Sequence, residues 1–183
     1  MSLILDNCYA ADISAIEAVD CPAPSKRWHP ISHGDARNLT LEAVDRAGLT
    51  VTEERYALSG NKKKGNGDTR MFGELILGGG DLSLPDDFRM ALGLRNSVDQ
   101  TISLNLCGGE SVMVCGNMCF FGEFMTKRKH TINIMADIPS MMDQAISTYL
   151  EGFVDRANEI ERWKTIELSQ PDVDHIVMEC MRA

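Results

Sequence analysis

The sequence predicts an α+β fold: an antiparallel sheet with a helix before it and a long amphipathic helix plus a shorter helix after it. Three observations predict it. A helix-capping signal at Ser32 precedes an amphipathic run. Two stretches between residues 88 and 106 place large apolar side chains at every second position. Beyond Pro139 the apolar period switches to that of a helix.

Residues 1–30 show no sustained periodicity, and Cys21-Pro22-Ala23-Pro24 reads as extended chain. They are expected to form an extended N-terminal segment, with residues 31–183 as a single domain whose 140–183 part is helical. Ser32 can accept a hydrogen bond from the first turn and Asp35 can reach back to it. Ala36, Leu39, Ala43, Val44 and Ala47 fall on one helical face, and Gly48 suits the position just past the end. Residues 49–58 and 70–77 read as strands joined by a Gly/Asn-rich, charged hairpin loop that carries Lys62, Lys63 and Lys64. Phe88, Met90, Leu92 and Leu94 form one alternating set, and Ile102, Leu104 and Leu106 another, the mark of strands with one buried face. Gly108-Gly109 is expected to turn the second strand into a partner at 111–116. Met142, Ile146, Tyr149, Phe153, Ile160 and Trp163 predict a helix over about 140–167, and Ser169-Gln170-Pro171-Asp172 opens the last one.

Composition narrows the functional classes. The 183 residues suit one domain. No apolar run approaches the ~20 residues that span a bilayer, and the opening Met1-Ser2-Leu3-Ile4-Leu5-Asp6 lacks the basic start of a signal peptide. A cytoplasmic protein of a bacterial host is expected, with its six cysteines as free thiols and no membrane partner. The net charge of −9 is uneven: −4 over residues 1–60, +1 over 61–130 and −6 over 131–183. Duplex DNA binding over the whole surface is therefore excluded, and only a local patch in the middle third can meet phosphates.

Gly78-Gly79-Gly80 and Gly108-Gly109 lack the setting of a phosphate loop or dinucleotide fingerprint and read as turns. Cys107, Cys115, Cys119 and His130 only graze the spacing of a zinc site, so core thiols and no metal are expected. His29 and His33 are four apart, but Pro30 sets His29 before the helix, and the helix N-terminus favours a neutral His33. Arg95-Asn96-Ser97-Val98-Asp99 is the densest polar cluster; on a continuing strand Arg95, Ser97 and Asp99 share a face able to hold a phosphate. Thr126-Lys127-Arg128-Lys129-His130-Thr131 is the most basic stretch. Alternation places Asn117 and His130 with the Arg95 cluster on one polar face.

The order Pro30-Ile31-Ser32-His33, Arg95-Asn96-Ser97-x-Asp99, Val114-Cys115-x-Asn117 and Lys129-His130-Thr131 resembles an uncharacterised family of phage and plasmid proteins, over roughly residues 28–168. The resemblance implies a bacterial mobile-element origin and singles out His33, Arg95, Asn96, Ser97, Asp99, Asn117, Lys129, His130 and Thr131. Gly116 departs from the Asp or Gln more usual there.

These readings converge on a nucleic-acid-binding accessory protein, acting on single strands in replication or recombination, and favour binding over catalysis. Its expected phosphate contacts are Arg95, Asn96, Ser97, Asp99, Asn117, Lys127, Arg128, Lys129, His130 and Thr131, with His33, Lys62, Lys63 and Lys64 as additions. No cofactor is expected. One alternative is a phosphoesterase or nuclease using His33, Asp99, Asn117 and His130 around a divalent cation. Another is a protein-binding inhibitor or assembly module of a mobile element, whose acidic C-terminal helix meets a basic partner. The apolar stripe of the 140–167 helix outlasts one small sheet and predicts a homo-oligomer anchored by Tyr149, Phe153, Ile160 and Trp163.

Overall fold

The computed structural model describes residues 8–61, 66–78, 90–109, 113–114, 120–121 and 124–181. The fold is α+β, as the periodicities require. Strands β1 (Tyr9–Ala11), β2 (Thr50–Asn61), β3 (Asn66–Gly78), β4 (Met90–Ser97), β5 (Leu104–Gly109) and β8 (Phe124–Arg128) form one antiparallel sheet in the order β1-β2-β3-β4-β5-β8. Between β5 and β8, β6 (Met113–Val114) and β7 (Phe120–Phe121) pair with each other in a separate ladder. Helices α1 (Ile13–Glu17), α2 (His33–Arg46), α3 (Ile134–Lys164) and α4 (Gln170–Cys180) complete the described elements.

Helix α2 follows its sequence signals. Ser32 Oγ accepts from the Asp35 N–H at 3.0 Å. At the other end Gly48 adopts φ +74°. The Gly48 N–H then donates to the Asp45 carbonyl and the Leu49 N–H to the Val44 carbonyl, the paired bonds of a Schellman stop. Ala36, Ala43 and Val44 are buried in the core shared with α3 and the sheet.

Pleating divides the sheet in two. Leu92, Leu94, Leu104 and Leu106 of β4 and β5, with Met71 and Leu75 of β3, join Ile134, Ile138, Met142, Ile146, Tyr149 and Phe153 of α3 in one core. The intervening residues point to the second face, where Arg55 bridges Glu53 and Glu74.

Three expectations are corrected. Gly108 and Gly109 are not a turn: both lie inside β5, paired with Leu92 and Ala91. A Cβ at Gly108 would stand 2.6–2.9 Å from the Tyr149 ring, so the glycine admits the aromatic side chain of α3. The next strand in the sheet is consequently β8, not a 111–116 partner, whose described part pairs elsewhere. Helix α3 starts at Ile134 rather than near 140 and carries Pro139 inside it. Burial of Ile134, Ile138 and Met142 at four-residue spacing holds the early turns in place despite the missing donor. The 1–30 segment, read as extended, contributes two elements. β1 pairs with β2, and α1, capped by Asp12, buries Ile16.

Candidate functional site

The polar end of the sheet is built around the loop joining β4 to β5. Ser97 Oγ donates to the Ile102 carbonyl at 2.8 Å and accepts from the Ile102 N–H at 3.2 Å, closing the loop across its base. Asp99 Oδ1 accepts from the Thr101 N–H at 3.0 Å, and Oδ2 accepts from Thr69 Oγ1 at 2.7 Å. Burial raises the Asp99 carboxyl, but hydrogen bonds from Thr101 and Thr69 outweigh it and hold its pKa below the ordinary value. Gln100, between these anchors, takes φ +66°. Arg70 Nε donates to Thr101 Oγ1 at 2.7 Å and ties the loop to β3.

Beneath the loop lies a buried polar cluster. Asn96 Nδ2 donates to the Ile31 carbonyl at 2.9 Å and meets His33 Nδ1 at 3.0 Å. A carbonyl only accepts, so the amide orientation is fixed and His33 Nδ1 is an acceptor; the neutral ring carries its proton on Nε2. Burial first, and the charge of nearby His130 with it, push the His33 imidazole down to about 4 against the opposing pull of the Asp68 backbone and Asp99. His130 is 7% exposed and its imidazole is lowered by burial too. Among the described residues, neither ring nitrogen of His130 has a hydrogen-bond partner, nor does the buried indole nitrogen of Trp28.

Two cavities flank the loop. The first, about 720 Å³, is walled by Tyr9, Trp28, Asp20, Asp68, Asp99 and Gln100 among others. The second, about 510 Å³, is lined by Arg27 and Trp28 from the N-terminal segment, Gln100–Ser103 from the loop, and Lys129, His130 and Thr131 after β8. Trp28 and Gln100 belong to both walls. A turn at Ser25 positions Trp28, and the His29 N–H donates to the His130 carbonyl at 3.2 Å, fastening the segment to the site.

The structure therefore gathers part of the expected set. Lys129, His130 and Thr131 line the second cleft, Asp99 the first, and Ser97, Asn96 and His33 support them. Arg95 and Lys127 do not join them. Arg95 pairs in register with Asn105, which pairs with Lys127, and alternation puts this row on the second face, opposite Asn96 and His33. There Asn105 Oδ1 accepts from Arg95 Nη2 at 3.0 Å and Nε at 3.3 Å. Arg95 and the buried Asn96–His33 pair thus lie on opposite faces of the sheet. Arg128 turns to the helix side and pairs with Asp137 of α3. Asn117, Lys62, Lys63 and Lys64 lie outside the described residues. Arg27, Trp28, Gln100, Thr101 and Ser103 are lining residues that sequence reasoning missed; the signal was the adjacent cation and aromatic of Arg27-Trp28, set in a stretch without periodicity.

Among the described residues no group of three or more His, Cys, Asp or Glu side chains could hold a metal ion. The Cys107 thiol is buried and burial pushes it up to about 12, the behaviour of a core thiol. No described helix is long and apolar enough to cross a membrane. Comparison with known proteins finds no matching family model, no similar curated protein and no similar solved structure.

Proposed function

We propose that the protein binds a single nucleic-acid strand through the 510 Å³ cleft, as an accessory protein for strands exposed in replication or recombination. One observation carries this reading. Trp28 shares a recess with Arg27, Lys129, the Thr101, Ser103 and Thr131 side chains and His130, whose ring nitrogens have no partner among the described residues. An indole face stacks any base, with about 1–3 kcal/mol at stake per base. The two cations meet flanking phosphates, and the Ser103 and Thr131 hydroxyls supply further donors. A recess between a loop and a chain segment admits an unstacked base rather than a duplex. The acidic total confines the contact to a few nucleotides, which keeps affinity modest and salt-dependent. A mobile-element setting for this activity rests on the sequence resemblance of the His33, Arg95–Asp99 and Lys129–Thr131 motifs.

Fluorescence anisotropy with short single- and double-stranded oligonucleotides tests the reading, with the tryptophan emission followed in parallel. Single strands are expected to bind more tightly than duplexes, to weaken between 50 and 200 mM salt (on the order of tenfold for two phosphate contacts), and to quench Trp28. Absence of salt-dependent binding, or binding unaffected by Trp28→Ala, overturns it.

A further inference from the structure

We infer that His130 reads the hydrogen-bonding edge of the base that stacks on Trp28, while Arg27 and Lys129 hold the flanking phosphates. This rests on the single-strand reading of the 510 Å³ cleft and adds to it a contact with the base itself. His130 lines the recess yet is only 7% exposed, so its ring is set into the wall. Neither of its nitrogens has a partner among the described residues. Burial without a hydrogen bond is costly, so a ligand that supplies one gains affinity over a ligand of the same shape that cannot.

The state of the ring decides which part of a nucleotide it meets. Burial lowers the His130 imidazole from its ordinary value and keeps it neutral. The charged side chains lining the recess are Arg27 and Lys129, both cations, so no carboxylate there favours an imidazolium. A neutral imidazole presents one donor and one acceptor, and a phosphate can use only the donor. A base edge uses either. Thymine carries an N–H between two carbonyl oxygens, so it finds a partner on the ring in both tautomers. Access comes from the segment that carries Trp28. Both His130 nitrogens are covered in the structure, but Pro22 to Arg27 is exposed throughout. The tie from this segment to His130 is the His29 N–H bond to its carbonyl, at 3.2 Å. A base entering against Trp28 displaces the segment and brings its edge to the ring.

Fluorescence anisotropy tests the inference with a short oligothymidylate and the same strand in which difluorotoluene, the nonpolar shape mimic, replaces every thymine. The mimic keeps the stacking face and the phosphates but loses the hydrogen-bonding edge. The wild type is expected to bind the thymine strand about tenfold or more tightly than the mimic. His130→Leu should bind both strands as the wild type binds the mimic, whereas His130→Gln, which keeps a donor and an acceptor, should retain a preference for thymine. Trp28→Ala should weaken both strands by the same factor. Urea midpoints show that the variants are folded, and the comparison of the two strands on the wild type needs no substitution. If neither strand binds, the cleft reading falls and this inference with it. If both bind and both weaken in Trp28→Ala, the cleft reading stands; a wild type that does not distinguish them, or a preference that survives His130→Leu, then overturns the role of His130 alone.

Discussion

The ring of Tyr149 lies against the backbone of Gly108, and its hydroxyl donates to the Gly109 carbonyl at 2.9 Å while the Ala91 N–H donates to it at 3.3 Å. One side chain of α3 thereby joins β4 and β5 at the point where a Cβ would exclude it. Gly108→Ala is expected to destabilise the fold by about 1–3 kcal/mol, because a methyl group meets a ring fixed in a packed core. Tyr149→Phe keeps the ring and loses the hydroxyl, and should cost about 1–2 kcal/mol. Urea denaturation of both variants checks this, and a Gly108→Ala protein as stable as the wild type would refute the close approach.

The same contact explains which parts of the fold were legible. Helix α2 was legible to its last residue because Ser32 and Gly48 act within a turn of themselves. Strand β4 was legible because Met90, Leu92 and Leu94 repeat with the pleat. Gly108 was misread because the group that requires glycine sits on another element, far along the chain. The start of α3 was misread for a related reason: Pro139 is a local stop signal overruled by the burial of Ile134 and Ile138. The site divides in the same way. Ser97 and Asp99 hold a loop in their own neighbourhood and were found, whereas Trp28 reaches the cleft only because His29 is fastened to His130. Arg95 takes the non-core face that alternation gives it, but His130 lies past the end of β8, where the pleat no longer says which way a residue turns.

Acid should weaken the fold through His33. Its folded pKa, about 4, lies below the ordinary 6.5, so the native state favours the neutral ring. The unfolded chain binds the extra proton first, and stability present above pH 6.5 is lost as pH falls toward 4. The full loss is on the order of 3 kcal/mol for a shift of this size, and His130, lowered by burial, adds in the same direction. Urea midpoints between pH 7.5 and 4.5 should fall with acidification, less steeply in His33→Gln. An equal slope in that variant would assign the acid sensitivity elsewhere.

Ser97→Ala should loosen the cleft wall without dissolving the core. Its hydroxyl serves both backbone groups of Ile102, and losing it leaves a donor and an acceptor without that partner, at about 1–2 kcal/mol. Hydrogen exchange should quicken over residues 98–103 and stay unchanged over α2. Uniform acceleration across both would mean that Ser97 supports the whole domain, not the loop.

Place in the fold separates the cations that matter for the cleft from those that do not. Arg27 and Lys129 line the recess beside Trp28, while Arg95 and Lys127 sit in one row of the sheet, on either side of Asn105, and are not among its lining residues. Each phosphate contact removed reduces the slope of log affinity against log salt by about 0.7–1. Arg27→Ala and Lys129→Ala should each do so for a single-stranded oligonucleotide and weaken it without regard to sequence. Arg95→Ala and Lys127→Ala should leave both the affinity and the slope close to those of the wild type, although all four residues carry the same charge. Separation along the chain does not produce that contrast, since Lys127 and Lys129 are two residues apart; Lys127 is held in the β8 row beside Asn105, whereas Lys129 lies past the end of the strand and lines the recess. If Arg95→Ala lowers the slope as much as Lys129→Ala, the strand runs over the second face, and the cleft at Trp28 is not where it binds.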